Sequence, residues 1–337
     1  MDRAEIVSGR WLVKAILTTL IAAGFALYFT VCLLFYQGQW QFTFFPSGRI
    51  KNIDLFAGSW ARRTGPPSPH AAPQSAADVA ALSGLPITDV RFDYTELGAA
   101  RLDGWWIPAR ADDGNARNVS APDTSSLSRF VVLFCPNGST VLPENLGAMR
   151  AFHALGVSVF AFDYRGFGAS QGGHPSQNKS YADGLAALNY LTGIRHIDSG
   201  RIVVYGAELG SAVAAQAARQ SPDIAGLILE NSQPSLANQV KREQHIHLLP
   251  MWLVFTDRFD ISRIVPALKM PKLIIATSTK PEYESGAAEI YRETAGPRQM
   301  ARIQISPAMP LYTQAEWRSA VGGFLQAISA KTVPQSR

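Results

Sequence analysis

The chain has 337 residues, 47% hydrophobic and only 17% charged, with 31 Lys and Arg against 26 Asp and Glu for a net charge of +5. So much apolar content with so little charge excludes an intrinsically disordered chain. The length suits one large α/β domain with additions, or two small domains.

The charge is unevenly placed. Residues 1–63 carry seven basic residues (Arg3, Arg10, Lys14, Arg49, Lys51, Arg62, Arg63) and three acids (Asp2, Glu5, Asp54), a balance of +4, so the remainder carries only +1. The main domain is nearly neutral, with no net basic excess to draw nucleic acid, and that class is set aside.

After a short tail, residues 1–14, comes Ala15–Tyr36, a run of 22 residues without a charge. That is long enough to cross a hydrocarbon core of roughly 30 Å. It exceeds the apolar region of about 7–15 residues of a cleavable signal peptide. Trp40 and Phe42 to Phe45 follow where interfacial aromatics belong. Residues 15–36 therefore read as an uncleaved signal-anchor, a single span whose partner is the lipid bilayer. Arg3, Arg10 and Lys14 favour a cytoplasmic N-terminus, although Arg49 and Lys51 blunt the bias. The main domain is expected on the non-cytoplasmic side, in the periplasm for a bacterial protein.

Residues 37–83 read as a juxtamembrane connector, and the Pro-rich TGPPSPHAAP at 64–73 as an extended spacer. From residue 84 to 330 the pattern is regular. A hairpin-like pair at 90–94 and 100–108 precedes short apolar strands at 130–135, 157–163, 202–206, 226–230, 272–277 and 301–306. Helices are predicted near 144–155, 181–193, 210–219, 286–295 and 314–328, and 331–337 is a tail. Apolar runs that do not alternate suit strands buried on both faces. The predicted fold class is α/β: about eight mostly parallel strands with helices on both faces. Cys32 in the span and Cys135 in a buried strand cannot pair, and no metal-type spacing or cofactor motif appears.

Active sites of such sheets form at the carboxyl ends of the strands. GAELGS at 206–211 follows the strand IVVYG and opens the small-residue helix SAVAAQAARQ. A strand, Gly-x-x-x-Gly and an Ala-rich helix are the context of a nucleophile elbow. Gly206 and Gly210 permit the turn, and the middle residue, raised above the sheet, is Glu208. LDGWWIPA (102–109), FDYRGFGASQG (162–172), YADGLAALNYL (181–191), LENSQPSL (229–236) and DRFDISRI (257–264) accompany it.

On these segments the chain resembles the α/β-hydrolase superfamily, in particular its membrane-anchored, depalmitoylase-like and serine-aminopeptidase-like branch. The resemblance covers residues 40–330. It implies a catalytic triad in chain order Ser, Asp, His. Glu208 stands at the serine position, and Thr279 or Lys280 where the acid belongs. Ala308 or Met309 stands at the histidine position, and no histidine follows His247. The first oxyanion loop, Cys135 to Thr140, lacks the family's His. The resemblance thus leaves a remnant pocket of Asn137, Gly138, Ser139, Leu209, Lys280 and Met309.

Serine attack requires an imidazole to take the proton and an acid to orient it. A carboxylate at the elbow is a conceivable nucleophile. Such an ester intermediate still needs a His to activate water, and Glu is a methylene longer than Asp. Glu208 reads as a polar plug or salt-bridge partner. His174 is the best stray imidazole; His153, His196, His245 and His247 read as surface or loop residues. Ser139, Ser170 and Ser211 are candidate substitute hydroxyls, and Glu282 or Glu284 a displaced acid. The apolar segment 245–259 reads equally as a cap over an acyl-sized cleft or as a packed helix, with Trp252 and Phe255 candidates for the bilayer surface.

The expectation is a non-catalytic pseudohydrolase that binds a lipid-like or peptide ligand, or acts as a membrane scaffold or regulator. The rival is an active hydrolase of acyl esters, thioesters or small peptides through a re-routed site.

Overall fold

Five strands are buried at every position or at all but the last: β3 (Val131–Cys135), β4 (Ser158–Phe162), β5 (Ile202–Ala207), β6 (Gly226–Glu230) and β7 (Lys272–Thr277). Burial on both faces is why their sequences run apolar without alternating. They are joined by β1 (Thr88–Tyr94), β2 (Ala100–Ile107) and β8 (Arg298–Ile303). The computed structural model describes residues 9–44, 80, 83–94, 100–109, 127–138, 142–241, 249–306 and 309–332. The Pro-rich stretch 64–73, Ser139, His245, His247 and Ala308 lie outside them.

The strands form one eight-stranded sheet in the order β1-β2-β4-β3-β5-β6-β7-β8. The β1–β2 and β2–β4 pairs are antiparallel, and the remaining pairs are parallel. Helices cover both faces, as expected. On one face lie α3 (Gln177–Asn189), α4 (Gly210–Gln220) and α5 (Pro281–Glu293), contributing Ala186, Ala187, Val213, Ala217 and Ile290 to a core with Leu133 and Val204. On the other, α2 (Leu146–Ala154) and α6 (Ala315–Thr332) pack Met149, Phe152, Trp317, Val321 and Phe324 against Val132 and Tyr205.

Helix starts and the edge strand depart most from the sequence reading. α3 begins four residues earlier than predicted because the Ser176 hydroxyl caps it, accepting from the Lys179 amide at 3.4 Å. α5 begins five residues earlier, with Pro281 in its first turn, where a missing N–H costs nothing. β8 lies three residues before the predicted run, its register set by pairing from Lys272↔Arg298 to Thr277↔Ile303. As an edge strand with mostly exposed or half-buried side chains it has no apolar signature to read.

The N-terminal helix α1 (Gly9–Gly38) contains the predicted span, and its most apolar window has a mean hydropathy of 2.1. None of its residues is buried. Its 30 residues extend about 45 Å. It is long and apolar enough to cross a membrane. The chain then turns straight into the domain. Gln39 accepts from the Thr256 amide at 2.8 Å, and Phe44 is wholly buried in the core.

Candidate functional site

β5 ends in a turn that lifts Glu208 above the sheet with φ +49°, a left-handed conformation unfavourable for a side chain of this size. Packing enforces the turn. A Cβ on Gly206 would collide with the Gly210 carbonyl, and one on Gly210 with the carbonyls of Cys135 and Pro136. The Glu208 amide donates to the Glu230 carbonyl at 2.8 Å. Beneath it the Ser211 hydroxyl donates to the Gly206 carbonyl at 2.8 Å, which occupies one of the candidate substitute hydroxyls. The elbow geometry is complete, with a carboxylate at its apex.

Tyr283, a buried residue of α5, interacts electrostatically with the Glu208 carboxylate. Burial first, then the Glu208 charge, pushes the Tyr283 phenol well above its ordinary value. Behind the elbow, at the end of β6, lies a second carboxylate. Glu230 is 2% exposed, and its oxygens accept from Trp317 Nε1 at 2.8 Å and the Tyr312 hydroxyl at 3.0 Å. Burial raises its carboxyl above the usual range; the Trp317, Tyr312 and Tyr205 contacts oppose that, and the Glu208 charge adds to it. Glu230 is thus held by phenol and indole donors, with the Glu208 charge close by. Among the described residues, the partners of Glu208 are Ser211, Glu230, Tyr283 and Tyr312, and none is an imidazole.

On the oxyanion side the space is apolar. A Cβ on Gly138 would lie 2.9 Å from Leu209 Cδ2 and 3.2 Å from Phe44 Cδ1. Leu209 follows the elbow residue, and Phe44 arrives from the end of the N-terminal helix. Phe44 also packs edge-on against Phe167 and Phe259, with ring centroids 6.2 and 5.6 Å away. Gly138, Leu209 and Glu208 are brought together, with Phe44 filling the place beside them. Asn137, half-buried, sits on the same loop.

The loops that would supply acid and base contain neither at the expected places. After β7, Thr277 is tied to Asn231 Oδ1 through its amide at 2.9 Å and its hydroxyl at 3.1 Å. Its hydroxyl also meets that of Thr279 at 2.8 Å. Lys280 is exposed, its Nζ 5.0 Å from the centre of the Tyr283 ring. Met309 is 47% exposed on the loop after β8. Glu282 and Glu284 lie in the first turn of α5, where carboxylates favour the helix dipole.

The remaining candidates are occupied elsewhere. Ser170 donates to the Asp163 carbonyl at 2.7 Å and accepts from the Asp103 amide at 2.8 Å, stitching the loop after β4 to β2. The His174 ring is stacked on Trp40 at 4.1 Å. His196 is exposed, in a loop before β5. His153 is buried rather than on the surface, beside a cavity of about 720 Å³ at the amino ends of the parallel strands. Glu230, Tyr283, Tyr312 and Trp317 were not singled out from the sequence, and Phe44, read there as an interfacial aromatic, is a core residue. LENSQPSL offered one signal, a Glu ending an otherwise apolar strand.

Residues 145–301 match the family described as serine aminopeptidase, S33. An α/β-hydrolase domain-containing protein of Arabidopsis thaliana, WAV2, is 47% identical over 107 residues, 31% of this chain and 34% of that protein. An uncharacterized membrane protein of Saccharomyces cerevisiae is 32% identical over 103 residues, 30% and 36% of the two chains. An uncharacterized protein of Mycobacterium tuberculosis is 33% identical over 176 residues, 52% of this chain and 56% of that protein, so the chain spans about half the length of such curated relatives or less. An esterase of Pyrococcus furiosus shares the fold, with a TM-score of 0.54 and 21% identity over 74% of this chain and 92% of that one.

Proposed function

The chain is a member of the α/β-hydrolase superfamily, and from that premise we propose that it is a membrane-anchored, non-hydrolytic member acting as a scaffold or regulator. The observation that carries this reading is the elbow itself. Its apex holds Glu208, in electrostatic contact with Tyr283 and Glu230, with no imidazole among its partners in the described residues. Without a base no proton leaves a nucleophile, and without an activated water an acyl-glutamate would not turn over. The apolar filling by Leu209 and Phe44 beside Gly138 supports the same conclusion, since it occupies the flank where an oxyanion would form. It also favours a scaffold over a receptor for a lipid-like or peptide ligand. In this reading α1 spans the bilayer with its N-terminus in the cytoplasm, and the domain lies on the far side.

The rival reading, hydrolysis of acyl esters, thioesters or small peptides, draws on the intact elbow geometry and the match to a serine aminopeptidase family. The full chain in detergent, assayed with short- and long-chain acyl esters, separates the two. The expected outcome is no turnover above that of Glu208→Ala, and no gain in Glu208→Ser, which still lacks a base. Turnover that survives repurification and disappears in Glu208→Ala overturns the proposal.

A further inference from the structure

Outside α1, few large apolar side chains are exposed among the described residues, and two of them are adjacent: Trp252, 71% exposed, and Leu253, 60% exposed. Both lie on the short helix Met251–Val254. The other side of this helix is occupied. Met251, Val254 and Phe255 form a buried cluster against which Cys32 and Phe35 of α1 pack. The sequence alone had offered Phe255 to the bilayer; the fold turns it inward and leaves Trp252 with Leu253 outside. The Arg258 guanidinium, exposed beside them, donates to the Trp252 carbonyl at 3.2 Å.

The depth of this contact follows from helix geometry. Cys32 and Phe35 precede Tyr36, the end of the uncharged run, by at most four residues, which is about 6 Å along the axis at 1.5 Å per residue. A span ending at Tyr36 therefore places both in the outermost part of the hydrocarbon. The helix packed on them is held at the boundary between acyl chains and headgroups. An amphipathic helix lying in that plane buries its apolar face roughly 5–10 Å into the boundary. A tryptophan with an apolar body and one N–H donor suits that position, as does a neighbouring cation.

We propose that the helix Met251–Val254 is a second membrane contact, with Trp252 and Leu253 seated in the lipid boundary beside the end of α1 and Arg258 at headgroup level. The occupant of this apolar face is the bilayer, because the face is continuous with the apolar surface of α1. The proposal rests on α1 spanning the membrane. Its consequence is orientation. Phe44, six residues after the end of α1, lies 3.2 Å from where a Cβ on Gly138 would stand beside the elbow, so the carboxyl ends of the strands are held facing the membrane surface.

The test uses the full chain in phosphatidylcholine vesicles with Cys32→Ser, leaving Cys135, which is buried, with burial pushing its thiol up out of reach of a maleimide. Single cysteines at Leu253→Cys, Phe25→Cys in α1 and Ile194→Cys, exposed at the opposite end of the sheet, carry an environment-sensitive fluorophore. Nitroxide-labelled acyl chains are the quencher. The expected result is about a twofold or greater loss of emission at positions 25 and 253, as insertion to that depth requires, and none at 194. Quenching at 25 without quenching at 253 overturns the second contact while the anchor stands. No quenching at either position overturns the anchor reading and this proposal together, and quenching at 253 alone removes the span and with it a contact placed at the end of that span.

Discussion

A single methyl group on Gly206 or Gly210 would strike backbone carbonyls, whereas the loops after β7 and β8 present Thr279, Lys280 and Met309 largely to solvent. The first region is fixed by sterics on every side. The second is bounded mainly by its own hydrogen bonds, such as Thr277 with Asn231 and the Ile305 amide with the Ser278 hydroxyl at 2.9 Å. Likeness to a fold follows the crowded region, and hydrolysis depends on the open one. A complete elbow is therefore no warrant for a complete active site.

The comparison can be broken where it predicts most. Gly210→Ala should destabilise the domain by more than about 4 kcal/mol, or prevent folding, because its neighbours are backbone and cannot move aside. Chemical denaturation of the full chain in detergent checks this, and a loss below 1 kcal/mol, roughly what a routine substitution costs, would remove the steric argument. Phe44→Ala comes next, at about 3–5 kcal/mol for an emptied aromatic site. A wild-type midpoint in that variant would detach the juxtamembrane turn from the core.

Trp317→Phe removes one donor from Glu230 and should cost about 1–3 kcal/mol. Glu230→Gln sharpens the same point through pH. Burial raises the Glu230 carboxyl above its ordinary value of 4.5, so the folded state keeps the proton to higher pH than the unfolded one. Its contribution is whole below that value and is lost as pH rises through the folded-state pKa. Unfolding midpoints of wild type should therefore fall relative to Glu230→Gln as pH increases above 4.5, and parallel curves would contradict the buried-carboxylate account. Lys280→Ser, in the open loop, should change stability by less than about 1 kcal/mol, the scale of an exposed cation–π contact.

Much of this was legible in the chain itself. The buried parallel strands announce themselves as apolar runs, and Gly206 and Gly210 around Glu208 mark the turn between β5 and α4 because the backbone there leaves no room for a Cβ at either glycine. The edge strand β8 was misplaced by three residues since half-exposed positions carry no pattern. Tyr283, Tyr312 and Trp317 were illegible as partners of the two carboxylates, because each comes from an element far away in sequence and reads locally as an ordinary core aromatic. Phe44 was hidden for a similar reason. It sits next to the long apolar helix α1 and looks like one more interfacial aromatic.

Periodicity and spacing, which act over a few residues, determined the long apolar N-terminal run, the sheet and the elbow, while the missing nucleophile, acid and base are what the family resemblance implies. Only tertiary structure decided that Glu208 is engaged by Tyr283, that Glu230 is buried among indole and phenol donors, and that the end of α1 is docked on the helix bearing Trp252. Those outcomes depend on which surfaces meet across the sheet. Local chemistry sets what each segment is, and long-range packing sets what it touches.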